Sequence, residues 1–222
     1  VKWMQGVFGD SPLLFTSLAV LLLFLQSLLF TRIINHHRLF PRATYLPAMC
    51  FLLFTSMLES WNVFSPALLV NLIMLWVFSS ITELYTRTSA RDVVFNVGFA
   101  LGMSGLFYFP SVIFCVLLLA SMLIMRAFRL AEWIIALLGL ICPLYLMGTY
   151  LFLTGQVALL RKIPNIGLSL PIITDYKVWG AMVACVLFFV IGWLLLQRPL
   201  KKMLIQGRKI WAALIIYVLV AM

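Results

Sequence analysis

The sequence predicts an all-α, polytopic transmembrane helical bundle, and three observations predict it. Of the 222 residues, 65% are hydrophobic and 10% are charged, whereas a soluble domain carries about 25% charged residues. With so little polar surface, the solvent must be lipid. Apolar runs begin near Pro12, Thr44, Pro66, Val93, Pro110, Leu130, Val178 and Ile210, which predicts about eight spans. Every second loop is basic. Arg32, Arg38 and Arg42 follow the first run, Arg87 and Arg91 the third, Arg126 and Arg129 the fifth, and Arg198, Lys201, Lys202, Arg208 and Lys209 the seventh. These are twelve of the sixteen Lys and Arg; Lys2, Arg161, Lys162 and Lys177 fall on the other side. Cytoplasmic loops retain positive charge, so the N-terminus is expected outside and the basic loops in the cytoplasm. Residues 1–222 read as a single transmembrane domain.

The elements follow in order. Span 1 runs from Pro12 to about Ile34, with Ser11 as N-cap and Pro12 as first helical residue. Span 2 is short, about Thr44 to Leu58, with Pro47 in its first turn. Span 3 opens at Ser65-Pro66 and closes near Tyr85. Span 4 starts from Ser89-Ala-Arg-Asp92, an S-x-x-D capping box in which Asp92 serves the helix start, and reaches Tyr108. Span 5 runs from Pro110 to Met125. The join Leu106-Phe-Tyr-Phe-Pro110 has no charge, and its aromatic rings place the turn at the outer interface. Gly98, Gly102 and Gly105 on span 4 are helix-packing positions, because small residues let a neighbouring backbone approach closely; a tightly packed hairpin of spans 4 and 5 is the expectation. Span 6 covers Leu130 to about Leu153, and Pro143 within it removes a hydrogen bond to the Gly139 carbonyl, so a kink is expected. The outer loop Thr154 to Lys177 holds Pro164, Gly167 and Pro171, which forbid a regular helix. Span 7 runs from Val178 to Gln197, and span 8 begins after Arg208-Lys209. Uniform apolar runs without a two-residue period exclude a β-barrel.

The net charge of +10 follows from membrane orientation, and no basic face with interleaved aromatics supports nucleic-acid binding. The basic side instead suits anionic headgroups. Cys50, Cys115, Cys142 and Cys185 each lie in an apolar run without C-x-x-C spacing, so neither disulfide nor metal is expected. Lys2 alone makes a poor signal-peptide start, and span 1 reads as retained. Ile210 to Met222 stops without a cap or charge, and thirteen residues rise only about 20 Å, so the chain is expected to continue beyond Met222.

Few residues offer chemistry. His36 and His37, with Arg32, Arg38 and Arg42, put five basic side chains in the eleven residues 32–42. They form an interfacial loop or a clamp for a lipid phosphate or a sugar-nucleotide pyrophosphate. Arg161 and Lys162 are the matching anion-binding candidates on the outer side. Glu59, beside Trp61 and Asn62, is the one weak catalytic candidate, and equally the solvated end of a helix. Glu83 with Arg87, and Arg129 with Glu132, have ion-pair spacing. Gln26, Asn71 and Asn96 are polar positions expected to face the bundle and bond across helices. No Asp, Glu, Lys or Arg sits at mid-span, which argues against ion-coupled transport. No nucleotide loop, serine-hydrolase elbow or zinc-protease motif occurs, and no cofactor or metal is expected.

The stretch FNVGFALGMSGLFYFP, followed by RAFRLAEWIIALLGLICP, resembles an uncharacterised family of polytopic inner-membrane proteins from Bacteroidota. Leu39 to Asn71 is compatible with it, so the resemblance covers about two-thirds of the chain. It implies a bacterial inner-membrane location and a longer chain, and carries no activity. Some members bear a carotenoid monooxygenase label. Carotenoid oxygenases hold iron with four histidines on a soluble propeller, whereas this chain has two adjacent histidines and no propeller pattern.

Two functional readings remain. The first is a non-enzymatic subunit that anchors or assembles with other membrane or envelope proteins, and it explains glycine-lined packing and short loops. The second is handling of a polyprenyl- or phospholipid-linked substrate at the outer leaflet, by a glycosyltransferase-like enzyme or flippase using Glu59, the Phe107-Tyr-Phe109 turn, Arg161 and Lys162. A solute transporter is a further alternative. The first is favoured, with membrane lipids and envelope proteins as partners.

Overall fold

The computed structural model describes residues 12–37, 39–40, 42–56, 64–85, 90–125, 129–155, 176–200 and 205–221. Among the described residues the eight apolar runs become eight α-helices: α1 (Pro12–His36), α2 (Leu46–Ser56), α3 (Pro66–Glu83), α4 (Arg91–Phe107), α5 (Cys115–Met125), α6 (Leu130–Leu153), α7 (Tyr176–Leu200) and α8 (Ile205–Ala221). A 3-10 segment, Phe109–Phe114, joins α4 to α5. No strand occurs among the described residues. The protein is all-helical, and its apolar helices are those of a membrane protein.

The count of eight spans needs correction. Among the described residues three helices are long and apolar enough to cross a bilayer: Leu13–His36, Pro66–Glu83 and Leu130–Leu153. With 11 residues, α2 rises about 16 Å, half of the roughly 30 Å hydrocarbon core. The 17 residues of α4 rise about 25 Å, and the segment from Phe109 to Met125, part of it 3-10, rises about 28 Å. The composition reports which residues lie in lipid, but the length of regular helix decides what can span.

Several helix ends also differ from expectation. Ser65 is the N-cap of α3 with Pro66 behind it, as the sequence suggests, yet its side chain makes no capping bond. The N-cap of α4 is Ala90, no side-chain bond caps it, and Asp92 sits exposed in the first turn, while Ser89 lies outside the described residues. A carboxylate there still favours the positive end of the helix dipole. Helix α6 runs unbroken through Pro143. It ends where Gly155 takes φ +68°, the left-handed conformation that glycine adopts without a Cβ penalty and that closes many helices. Helix α8 starts before Arg208-Lys209 rather than after it. Lys209 Nζ donates to the Met125 carbonyl at the end of α5 (3.3 Å) and lies 4.9 Å above the Tyr85 ring at the end of α3. That places its charge on an orphan carbonyl at a helix C-terminus, where it is favoured.

The strongest packing is not between sequence neighbours. Helices α4 and α6 form the closest pair in the molecule, while α5 leaves α4 to pack on α8. The tight hairpin of spans 4 and 5 is therefore not what Gly98 and Gly102 build. A Cβ at Gly98 would stand 2.8 Å from the Ala136 carbonyl oxygen, and one at Gly102 would stand 2.6 Å from that of Leu140. Reciprocally, a Cβ at Gly139 would meet the Phe95 carbonyl oxygen at 2.6 Å. The backbones touch directly along this seam, and both helices run the same way through it. Gly105 instead faces Val112 of the 3-10 segment, at 3.1 Å from its would-be Cβ, so it serves the turn and not the seam.

The main core gathers α3, α4, α5 and α8 around Phe78, Ile81, Val94 and Leu117, with the end of α1 and the start of α6. A smaller cluster of Ala19, Leu23, Phe64 and Leu68 holds α1 to the start of α3. Helix α7 meets α2 through the Phe54–Phe188 ring pair, with centroids 5.8 Å apart.

Candidate functional site

Two polar regions survive inside this apolar frame. The first is a cleft of about 360 Å³ where the ends of α1 and α3 diverge. Arg32 and His36 stand one turn apart on α1, and the opposite wall carries Trp76, Ser79 and Glu83. Arg32 and His36 also border a second hollow of about 380 Å³ with Asn35 and Tyr45. The chain leaving α1 is pinned beside it, because Asn35 Nδ2 donates to the Thr44 carbonyl (3.2 Å) and the Thr44 N–H donates to Asn35 Oδ1 (3.3 Å).

His37 closes the cleft from behind. Its Nε2 lies 2.7 Å from Thr82 Oγ1, and the Thr82 hydroxyl donates to the Ser79 carbonyl (2.6 Å). A hydroxyl has one proton, so Thr82 accepts and His37 Nε2 donates. The two histidines are sequence neighbours, and neighbours on a helix do not share a face. Both border the cleft, with ring centroids 5.1 Å apart in an edge-to-face pair, because α1 ends at His36 and His37 lies in the turn beyond it.

Burial pushes the His37 imidazole below its ordinary pKa; charge on His36 pushes the same way, and Glu83 opposes both. The folded protein therefore prefers neutral His37. Below the ordinary histidine pKa of about 6.5 the unfolded chain binds its proton first, so stability is full above that pH and declines as pH falls through it. Wild-type protein in detergent is expected to melt earlier at pH 5.5 than at pH 7.5. His37→Gln, which keeps a donor for Thr82, should flatten that difference. An unchanged pH slope in the variant would exclude His37 as its source.

The second polar region is a hydrogen-bonded chain across three helices. Gln26 Nε2 donates to the Leu68 carbonyl (2.7 Å), Asn71 Nδ2 donates to Gln26 Oε1 (3.1 Å), and the Tyr217 hydroxyl donates to Asn71 Oδ1 (3.3 Å). It ties α1, α3 and α8 together. A cavity of about 440 Å³ opens beside it, bordered by Asn71, Tyr108 and Ser111. Hydroxyls such as those of Thr31 and Ser104 bond to their own helix backbone, at the Ser27 carbonyl (2.9 Å) and the Leu101 carbonyl (2.7 Å), whereas the buried Ser121 hydroxyl finds no partner among the described residues.

The candidate residues divide. Arg32 stands at the cleft. Arg42 is exposed in the following loop and borders neither hollow. Arg38, Glu59, Arg161 and Lys162 lie outside the described residues, as do Arg87 and residues 156–175 of the outer loop. Arg129 is exposed as N-cap of α6 and Glu132 is buried in its first turn. Gln26 and Asn71 bond across helices as expected. Asn96 does not face the bundle: it is exposed on the first half of α4. The roles of Thr82, Trp76 and Tyr217 had no sequence signal, since each is an unremarkable member of an apolar run.

Comparison with family models, curated proteins and solved structures finds no match to this chain.

Proposed function

We propose that the chain is a non-enzymatic multipass module of a bacterial inner membrane, which assembles with other membrane proteins through α6. In this reading the short helices cross or enter the bilayer with the long ones, the N-terminus lies outside and the basic loops are cytoplasmic. One observation carries the assembly role. Among the described helices α6 packs closely on α4, and beyond Pro143, with Gly148 and Leu151 the covered positions, eight of the ten residues from Leu144 to Leu153 are exposed. Tyr145, Thr149 and Tyr150 stand among them, and helices in lipid gain by packing such surfaces on another helix. The buried polar groups support the same reading, because Gln26, Asn71 and Tyr217 are spent on one another in holding helices together.

The test is native mass spectrometry of the protein extracted gently from its own membrane. A stoichiometric protein partner is the expected result. A chain that emerges alone, and that Tyr145→Leu with Tyr150→Leu leaves unaltered in every respect, would remove the reading.

A second reading, handling of a lipid-linked substrate at the outer leaflet, is favoured by the cavity beside Asn71, Tyr108 and Ser111, which lies at the Phe107-Tyr-Phe109 turn. Glu59→Gln combined with Arg161→Ala should then abolish function in a folded protein.

A further inference from the structure

We infer that the cleft between the ends of α1 and α3 is a binding site for one membrane phospholipid, with its phosphate held by Arg32 and His36 and its acyl chains lying against Leu29, Leu75 and Trp76. This does not depend on the assembly reading.

Polarity changes along both walls of the cleft. On α1 the cleft is bordered by Leu29, then by Arg32 and Ile33, and one turn on by His36 and His37; on α3 it is bordered by Leu75 and Trp76 and then by Ser79 and Glu83. The two helices run the same way past the cleft, since Gln26 meets Asn71 and His37 meets Thr82, so the apolar ends of the two walls lie together and so do the polar ends. One end of a single cavity is thus hydrocarbon and the other end charged. A soluble anion would match only the charged end, and a neutral apolar ligand only the other. A phospholipid has both ends in that order. Trp76, half exposed, sits at the level where indole rings mark the boundary between acyl chains and headgroups.

The charged end is also prepared for phosphate. Arg32 and His36 are both exposed, so neither is consumed by burial within the fold. A guanidinium presents paired donors that match phosphate oxygens. His37 is held by Thr82 on the far side and fixes the wall against which the headgroup rests. Glu83, on the opposite wall, favours a headgroup that also carries an ammonium group over one with a second negative charge.

The experiment uses the purified full chain in detergent at pH 7.5, with phosphatidylethanolamine or inorganic phosphate added, read by native mass spectrometry. Wild type is expected to retain one phospholipid per chain. Arg32→Gln with His36→Gln should lower the retained fraction at least fivefold. Arg91→Gln, which removes one exposed positive charge from the start of α4, should leave it unchanged, and Arg32→Lys should keep most of it. Equal retention in all variants overturns the site. Displacement by inorganic phosphate as readily as by lipid overturns the phospholipid and assigns the cleft to a soluble anion. A measurement on wild type alone guards against a misfolded variant: a phospholipid with a photoreactive headgroup should label peptides containing Arg32–His37 and Ser79–Glu83. Labelling confined to other helices would equally overturn the inference.

Discussion

Gly102→Leu is expected to cause the largest loss of stability of any single substitution in the α4–α6 seam. Even the first added atom, a Cβ, would stand 2.6 Å from the Leu140 carbonyl oxygen and 3.0 Å from Pro143 Cγ. The obstacle is backbone, which cannot rotate away as a side chain can. Overpacking of a filled interior costs about 1–3 kcal/mol and occasionally more, and a leucine adds three further carbons to a contact with no slack. The loss should therefore be about 3 kcal/mol or more, seen as unfolding at a much lower fraction of dodecyl sulfate in mixed micelles. Gly139→Ala should lose stability too, because its Cβ would meet the Phe95 carbonyl oxygen at 2.6 Å. Gly148→Ala is the control: nothing lies within 4 Å of its Cβ position, and alanine is the better helix former, so stability should hold or rise slightly. If Gly102→Leu unfolds with wild type, the two backbones are not in contact.

The second large effect is expected at Asn71. Asn71→Leu removes a donor to Gln26 and an acceptor for Tyr217 at once. Gln26 is fully buried, so its Oε1 would lose its partner away from water. Leaving a buried polar group unsatisfied costs about 1–3 kcal/mol, with interhelical bonds in membranes nearer about 0.6–2 kcal/mol. The sharper measurement is a double-mutant cycle. Gln26→Leu and Asn71→Leu together should cost clearly less than the two single losses added, because the second change removes the group that the first left unpaired. Strict additivity would mean that the two side chains do not cooperate, and that α1, α3 and α8 are held by apolar packing alone.

Much was legible along the chain. Each apolar run became a helix, and Pro12, Pro66 and Leu130 start helices where their runs begin. Gln26 and Asn71 announced themselves as polar residues in lipid, and each found a partner on another helix. The cleft was only partly legible. Arg32, His36 and His37 stood out as scarce charged or titratable groups after span 1, but the wall facing them, Trp76, Ser79 and Glu83, lies on another apolar run, with Trp76 44 residues from Arg32. The His37–Thr82 bond that closes the cleft depends on where α1 stops and how the next residue turns. The capping box at Ser89–Asp92 misled for a related reason. A motif offers a cap, but the helix began at Arg91, with Ala90 buried as its N-cap.

By itself, the sequence determined that this protein is helical and lives in lipid, and roughly where each helix begins. Those properties are local: an apolar run must satisfy its own backbone hydrogen bonds in a medium that offers none. Only the tertiary structure decided that α4 packs on α6 rather than on α5, and that Arg32 and Trp76 share one cleft. In water a helix declares its partner by a single apolar face, but in lipid every face can be apolar, so hydrophobicity carries no information about which helix meets which. Pairing is then set by shape and by a few hydrogen bonds. Here that means Gly98 and Gly102 against the backbone of α6, and Asn71 reaching both Gln26 and Tyr217.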